Sequence, residues 1–155
     1  MTPVRIELQP QHIEVTHDDL RTAIPVGVGQ LAAAITTDPP APEELTNAIG
    51  WVLDHLEDAG REVPALEFAD RIEVFGPLVD VVADVEVGGA VDLPYELFRE
   101  SAEEVFRTLA TERRVDRASN PGLPADAVHD VLGTLVAVVS VMRFTAATSV
   151  WLVAQ

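Results

Sequence analysis

The sequence predicts an α/β layer protein, and three observations carry the prediction. Near the N-terminus, three short runs alternate between apolar and polar residues, with tight turns between them. Towards the C-terminus, Val128–Met142 is apolar on nearly every side, which marks a helix covered by other elements. Thr148–Val153 then becomes β-branched and alternating, as a strand does. A buried helix that feeds a strand needs a sheet on one side and further helices around it.

Taken in order, Val4, Ile6 and Leu8 share one face of the first run, and Gln9-Pro10-Gln11 turns the chain. His12–Thr16 alternates again, His17-Asp18-Asp19 is a second turn signal, and Leu20–Val26 is the third run. Short runs joined by tight turns form an antiparallel meander. Gly27 and Gly29 close the third run, and Gln30–Thr36 is expected to form a short helix. Asp38-Pro39-Pro40-Ala41-Pro42 is a rigid connector. Pro42 suits a first helical turn, where its missing N–H costs nothing, and Glu43 and Glu44 complement the positive helix end. Leu45, Ile49, Val52, Leu53 and Leu56 keep the helical period, Trp51 adds bulk nearby, and Gly60 is expected to end the helix.

Arg71–Phe75 predicts a fourth strand, and beyond Gly76-Pro77 the residues Leu78, Val81, Val82 and Val85 share a helical face. Gly88-Gly89 breaks the chain. Pro94 precedes an expected helix over Tyr95–Leu109, with Leu97, Ala102, Val105 and Phe106 on its apolar side. Thr111–Pro121 is polar and arginine-rich and reads as a linker. Pro124 and Asp126 then suit the first turn of the buried helix. The expected core comprises Ile6, Leu8, Ile13, Val15, Ile24, Leu31, Ile49, Leu53, Leu56, Val74, Val82, Phe106, Leu132, Leu135, Val136, Val139 and Val150.

The order βββ-α-α-β-α-α-α-β is the ribonuclease H-like plan, shared by each half of actin-like ATPases. In it a three-strand antiparallel meander is extended by parallel strands through right-handed crossovers, with helices on both faces. A chain of 155 residues suits one domain, 1–155, with a core of its own. The hydrophobic fraction of 48% and mean hydropathy of +0.19 agree with that. The uncharged run before Arg143 is shorter than the roughly 20 residues a membrane span requires.

Without cysteine there is no disulfide framework, thiolate metal site or sulfur nucleophile. The opening MTPVRIELQP lacks a basic segment followed by an apolar one, so a cytoplasmic location is expected. All ten basic residues are arginines, and the net charge is −16. A surface so acidic repels nucleic acid, anionic lipid and polyphosphate, so neither nucleic acid nor membrane is an expected partner.

Three stretches together resemble the second domain of the Ppx/GppA family of exopolyphosphatases and guanosine pentaphosphate phosphohydrolases. Ile24–Leu31 (IPVGVGQL) with Asp38–Leu45 (DPPAPEEL) is similar to the family's "LPLG-x-x-RL" run and its "DPP-x-x-EEL" helix start. Arg113–Met142 is similar to the family's "ERR…PGL-x-x-x-RA-x-x-x-x-x-GA-x-V" segment, and Thr148–Val153 to its last core strand. The resemblance spans most of the chain and rests on order and spacing, since each stretch is structural.

The departures fall on the chemistry that the resemblance implies. The family's first hairpin carries a glycine-rich "D-[IV]-GGGS-x-E" loop that cradles phosphate, with acidic residues helping to hold a metal ion. Here the turn is Glu7-Leu8-Gln9-Pro10-Gln11-His12, which has no glycine, and Pro10 lacks an N–H. The family's "GTGGT-x-T" loop is replaced by Phe75-Gly76-Pro77-Leu78-Val79-Asp80, with one glycine and no hydroxyl. The family helix carries an arginine where this chain has Ala127-Val128-His129. The family's first domain, with its catalytic acid, and the run beyond the last strand have no counterpart in this sequence. Glu7, Gln9, Pro10, His12, Gly76 and Pro77 are thus read as degenerate phosphate-loop positions.

Other constellations have plainer readings. His12, His17, Asp18 and Asp19 could be drawn as a metal site, but such residues are common at hairpin turns for backbone reasons. Glu7, Glu14, Asp80 and Asp84 could mimic a nuclease's metal-binding carboxylates, yet the chain offers no basic surface for nucleic acid. His129 and Asp130 read as helix-start residues rather than catalysts. Arg113, Arg114 and Arg117 could grip an anion from a partner, against the plainer reading of local pairing with the acidic surface. There is no Ser-His-Asp set, Walker loop or dinucleotide fingerprint.

The expectation is a non-catalytic, stand-alone domain that binds a protein partner or itself, with no catalytic residue, metal or cofactor. The alternative is a phosphohydrolase acting on polyphosphate or guanosine pentaphosphate, completed by a partner chain. A small-molecule binder using a cleft between sheet and helices is a third possibility. Val150, Trp151 and Leu152 form the candidate interface, because their strand looks apolar on both faces, and a homodimer is expected.

Overall fold

Six strands make one mixed sheet in the computed structural model, which describes residues 2–155. β1 (Val4–Leu8), β2 (Ile13–His17) and β3 (Leu20–Ile24) form the expected meander, with Ile6 opposite Val15 and Val15 opposite Thr22. Asp18 takes φ 51° in the two-residue turn between β2 and β3, a conformation aspartate tolerates better than most residues. α1 (Val28–Ala33), α2 (Pro42–Glu62) and the short α3 (Ala65–Phe68) lead to β4 (Ile72–Phe75). β4 lies parallel to β1 with Val74 beside Ile6.

The chain continues through α4 (Val79–Val87), β5 (Tyr95–Phe98), α5 (Arg99–Thr111) and α6 (Arg114–Arg117). A 3-10 turn at Ala125–Ala127 precedes α7 (Asp130–Phe144), and β6 (Ser149–Leu152) is the last strand in the chain. The strand order is β3-β2-β1-β4-β6-β5, with β6 parallel to β4.

α7 is the centre of the molecule. Every residue from Val131 to Met142 is buried, with α1, α2 and α5 packed around it. The expected core is buried except for Leu53, which is partly buried and packs against its edge. Within α7 the Ser140 hydroxyl donates to the Val136 carbonyl at 2.6 Å, so an apolar environment leaves it no unmet donor.

Two expectations fail. Tyr95–Phe98 is the edge strand β5, not the start of a helix; it runs antiparallel to β6, with Leu97 opposite Val150. Leu97 fits an apolar helix face and an alternating strand equally well, and the open edge of β6 decides between them. Phe98 is extended at φ −77°, ψ 151°, and serves as the N-cap of α5.

Helices also cover one face of the sheet only. Val4, Ile6, Leu8, Val74, Val150 and Leu152 point into the core and are fully buried. On the opposite face Arg5, Glu14, Glu73, Phe75 and Trp151 are partly or fully exposed. Charged residues at most alternate positions leave a second helical layer little apolar surface to pack on beyond Phe75 and Trp151.

Smaller corrections concern helix ends. α2 runs past Gly60 to Glu62, and Gly60 instead gives space to Phe144, whose ring would lie 3.3 Å from an added Cβ. The supposed linker contains α6, and Arg117 within it is buried. Its guanidinium donates to the carbonyls of Val128 at 2.8 Å, Leu109 at 3.1 Å and Glu112 at 2.8 Å. It therefore closes the C-terminal end of α5 instead of gripping an outside anion. Arg113 pairs locally with Asp116 at 3.3 Å.

Candidate functional site

Parallel strands offer a ligand site above their carboxyl ends, and here β1 and β4 end side by side, with Glu7 beside Phe75. The turn after β1, Gln9–His12, and the turn after β4, Gly76–Leu78, meet there. Their approach depends on two glycines. Gly76 has φ 133°, and a Cβ on it would lie 2.3 Å from the Leu8 carbonyl oxygen. A Cβ on Gly27 would lie 2.3 Å from the Gln11 nitrogen. No other residue fits either place.

Gly27 brings the start of α1 directly under the first turn. The N–H of Val28 donates to the Gln9 carbonyl at 2.9 Å, and that of Gly29 to the Pro10 carbonyl at 3.0 Å. Gln30 N–H reaches the Pro10 carbonyl at 3.3 Å. Amides at a helix start that could face an anion are thus spent on the protein's own backbone. The second turn is similar: Pro77 has no N–H, and its carbonyl accepts the Thr134 hydroxyl from α7 at 2.9 Å. Leu78 is held at φ 66°, which presents its side chain to the space between the turns.

That space is a cleft of about 400 Å³. Pro10 and Gly29 line one side, Pro77 and Leu78 another, and Ala127 and Thr134 a third. Among the described residues the only ionisable groups lining it are the carboxylates of Asp126 and Asp130, both exposed. His129 lies between them in sequence, but its Nε2 is 2.7 Å from the Ala32 carbonyl and so ties α7 to α1. The cleft offers apolar walls and negative charge, with neither a basic group nor a free glycine-rich backbone.

The degenerate loop positions divide around this cleft. Pro10 and Pro77 line it, and Gly76 shapes it from behind. Glu7 lies on the open sheet face, where the Gln9 amide donates to it, and His12 is exposed at the end of its turn. Sequence reasoning missed Val28, Gly29, Leu78, Asp126, Asp130 and Thr134 as cleft residues, for they come from three separate segments. Asp126 and Asp130 gave the one available signal, two acids four apart at a helix start.

The other constellations are dispersed. Glu7 and Glu14 face each other across β1 and β2 on the open face, whereas Asp80 and Asp84 belong to α4 in the helical layer. Asp84 accepts the Val91 N–H at 3.0 Å, a structural role. His12 and His17 bracket β2, roughly 16 Å apart at 3.3 Å per residue. Among the described residues no group of three or more His, Asp or Glu is placed to hold a metal.

The open sheet face is the other surface with character. Glu73 accepts from Arg5 at 3.0 Å and from Arg71 at 2.9 Å. Arg5 lies over the Phe75 ring at 4.7 Å and Arg71 over the Trp151 ring at 4.3 Å. Glu14 pairs with Arg21 at 3.1 Å. Of the candidate interface residues, Val150 and Leu152 are fully buried in the core, and only Trp151 belongs to this face. The strand is apolar on both sides, but one side is already spent.

No family model matches this sequence, and no curated protein matches it. Solved structures do. The chain superposes on the Aquifex aeolicus PPX-GPPA enzyme with a TM-score of 0.82 at 13% identity, covering 97% of this chain and 52% of that one. An exopolyphosphatase-like protein gives a TM-score of 0.87 at 17% identity, covering 99% and 56%. An exopolyphosphatase from Cytophaga hutchinsonii gives 0.79 at 10% identity, covering 98% and 53%. The chain spans about half the length of the solved chains it matches, and at these identities the likeness is one of fold.

Proposed function

We propose that this chain, whose fold is that of one half of a Ppx/GppA exopolyphosphatase chain, is a non-catalytic domain that works by binding a protein. One observation carries the reading: the cleft at the ends of β1 and β4 is walled by Pro10 and Pro77 and charged only by Asp126 and Asp130. A phosphoryl-transfer site needs converging donors and cations to offset charge on the phosphate oxygens. This cleft supplies the opposite sign. A net charge of −16 adds long-range repulsion for any polyphosphate.

The binding surface proposed is the open sheet face, and the partner proposed is a second copy. Along it three arginines (Arg5, Arg21, Arg71) stand against four glutamates (Glu7, Glu14, Glu73, Glu96), so it is close to neutral on a strongly acidic molecule. Two acidic copies repel each other least through such a face, and the partly exposed rings of Trp151 and Phe75 gain from being covered.

The test is release of phosphate from polyphosphate or guanosine pentaphosphate in the presence of magnesium. The expected result is none above the protein-free rate. Turnover that disappears in Glu7→Gln and Glu14→Gln variants would instead support a phosphohydrolase completed by another chain.

A further inference from the structure

We infer that the cleft between the two turns binds a small organic cation, an ammonium group carried on an apolar body. The inference rests on the reading that this cleft no longer takes phosphate. A volume of about 400 Å³ falls within the range of roughly 300–1,000 Å³ usual for small-molecule sites. The buried Val28 and Ala127 and the partly buried Leu78 line it together with the exposed rings of Pro10 and Pro77, an apolar surface that suits an apolar body. The one hydroxyl in the wall, on Thr134, is already donated to Pro77.

The sign of the head group follows from the mouth. Asp126 and Asp130 both line the cleft, and no arginine or histidine does. Asp126 sits in the 3-10 turn and Asp130 in the first turn of α7. The helix end contributes about half a positive charge, which does not cancel two full negative charges. The start of α4 adds a similar half charge behind Leu78, and Asp80 in its first turn offsets it. An ammonium is attracted by both carboxylates while its body covers the apolar surface of Val28, Leu78 and Ala127. A carboxylate or phosphate of the same size would face the two acids with no donor in return.

Phenethylammonium, the isosteric 3-phenylpropionate and pyrophosphate are the probes, each titrated into ¹⁵N-labelled full-length protein. The expected result is saturable amide shifts with phenethylammonium confined to Gly29, Leu78, Ala127 and Thr134, and at least about tenfold weaker binding of the carboxylate. The double variant Asp126→Asn, Asp130→Asn should weaken phenethylammonium by about tenfold and leave phenylpropionate no weaker. Equal binding of the two isosteres, an unchanged affinity in the double variant, or no saturable shift overturns the inference. If phenethylammonium fails and pyrophosphate is also silent, this inference falls alone. If pyrophosphate binds in the cleft more tightly than phenethylammonium, the non-catalytic reading falls with it.

Discussion

A methyl group at Gly133 would lie 2.0 Å from the carbonyl oxygen of Val28. α7 and α1 therefore touch backbone to backbone, and Val28 is held where it lines the cleft. Alanine favours a helix over glycine by about 1 kcal/mol. Here the close contact must win, because α1 has to retreat to admit the methyl group. Gly133→Ala is expected to lose about 1–3 kcal/mol in denaturant unfolding. A stabilised variant would show that the helices do not meet as described.

Leu135 is fully buried in the middle of α7. Leu135→Ala leaves a cavity that the surrounding helices and sheet cannot all close, at a cost of about 2–5 kcal/mol. A loss under about half a kcal/mol, the usual range for surface changes, would mean that α7 is not central.

Arg117 tests a buried charge with a structural task. Arg117→Met keeps much of the volume and leaves the carbonyls of Leu109, Glu112 and Val128 without their donor. Each buried polar group left unmet costs about 1–3 kcal/mol, so a loss of at least about 2 kcal/mol is expected. Burial already pushes the guanidinium pKa down, yet it stays charged at neutral pH. Unchanged stability would assign Arg117 to the surface.

Glu44 gives a pH signature. Its carboxylate accepts from the hydroxyls of Thr37 and Thr36 and from the Thr36 N–H at 2.8 Å, which lowers its pKa to about 2 from an ordinary 4.5. Folding thus favours the ionised form: the stabilisation is complete above about 4.5 and is lost as pH falls towards 2. Glu44→Gln should be less stable than the parent at neutral pH, and the gap should close near pH 2. A gap that stays constant across that window would remove Glu44 as its cause.

Self-association through the open face has a direct reading. Light scattering at micromolar concentration and moderate salt should give twice the chain mass of 16.7 kDa. Trp151→Glu places a charge under Arg71 and in the proposed contact, and should return the protein to a monomer with its fold intact by circular dichroism. A parent that scatters as a monomer, or a variant that remains dimeric, rules out this surface.

Much of the architecture was legible because it depends on local periodicity. Strict alternation along Val4–Leu8 sets which side chains enter the core, and a two-residue turn at Asp18-Asp19 sets the pairing of β2 with β3. The all-round apolar character of α7 likewise requires cover on several sides, wherever that cover comes from. Pro10 and Pro77 announce the loss of two donors by their chemistry alone.

The tertiary structure decided everything that depends on who faces whom. Tyr95–Phe98 became a strand because the edge of β6 was free, a fact absent from its own four residues. Arg117 looked like a surface cation until two carbonyls from the end of α5 and one from the segment before α7 closed around it. Asp126 and Asp130 are ordinary helix-start acids in sequence; only the crossing of α1, α7 and the two proline turns makes them the charge of a cleft. Trp151 and Val150 are neighbours in one apolar run, yet the one-sided helical layer buries Val150 and leaves Trp151 under an arginine on the open face. Sequence fixes the period of a strand, but only packing chooses which of its faces is covered.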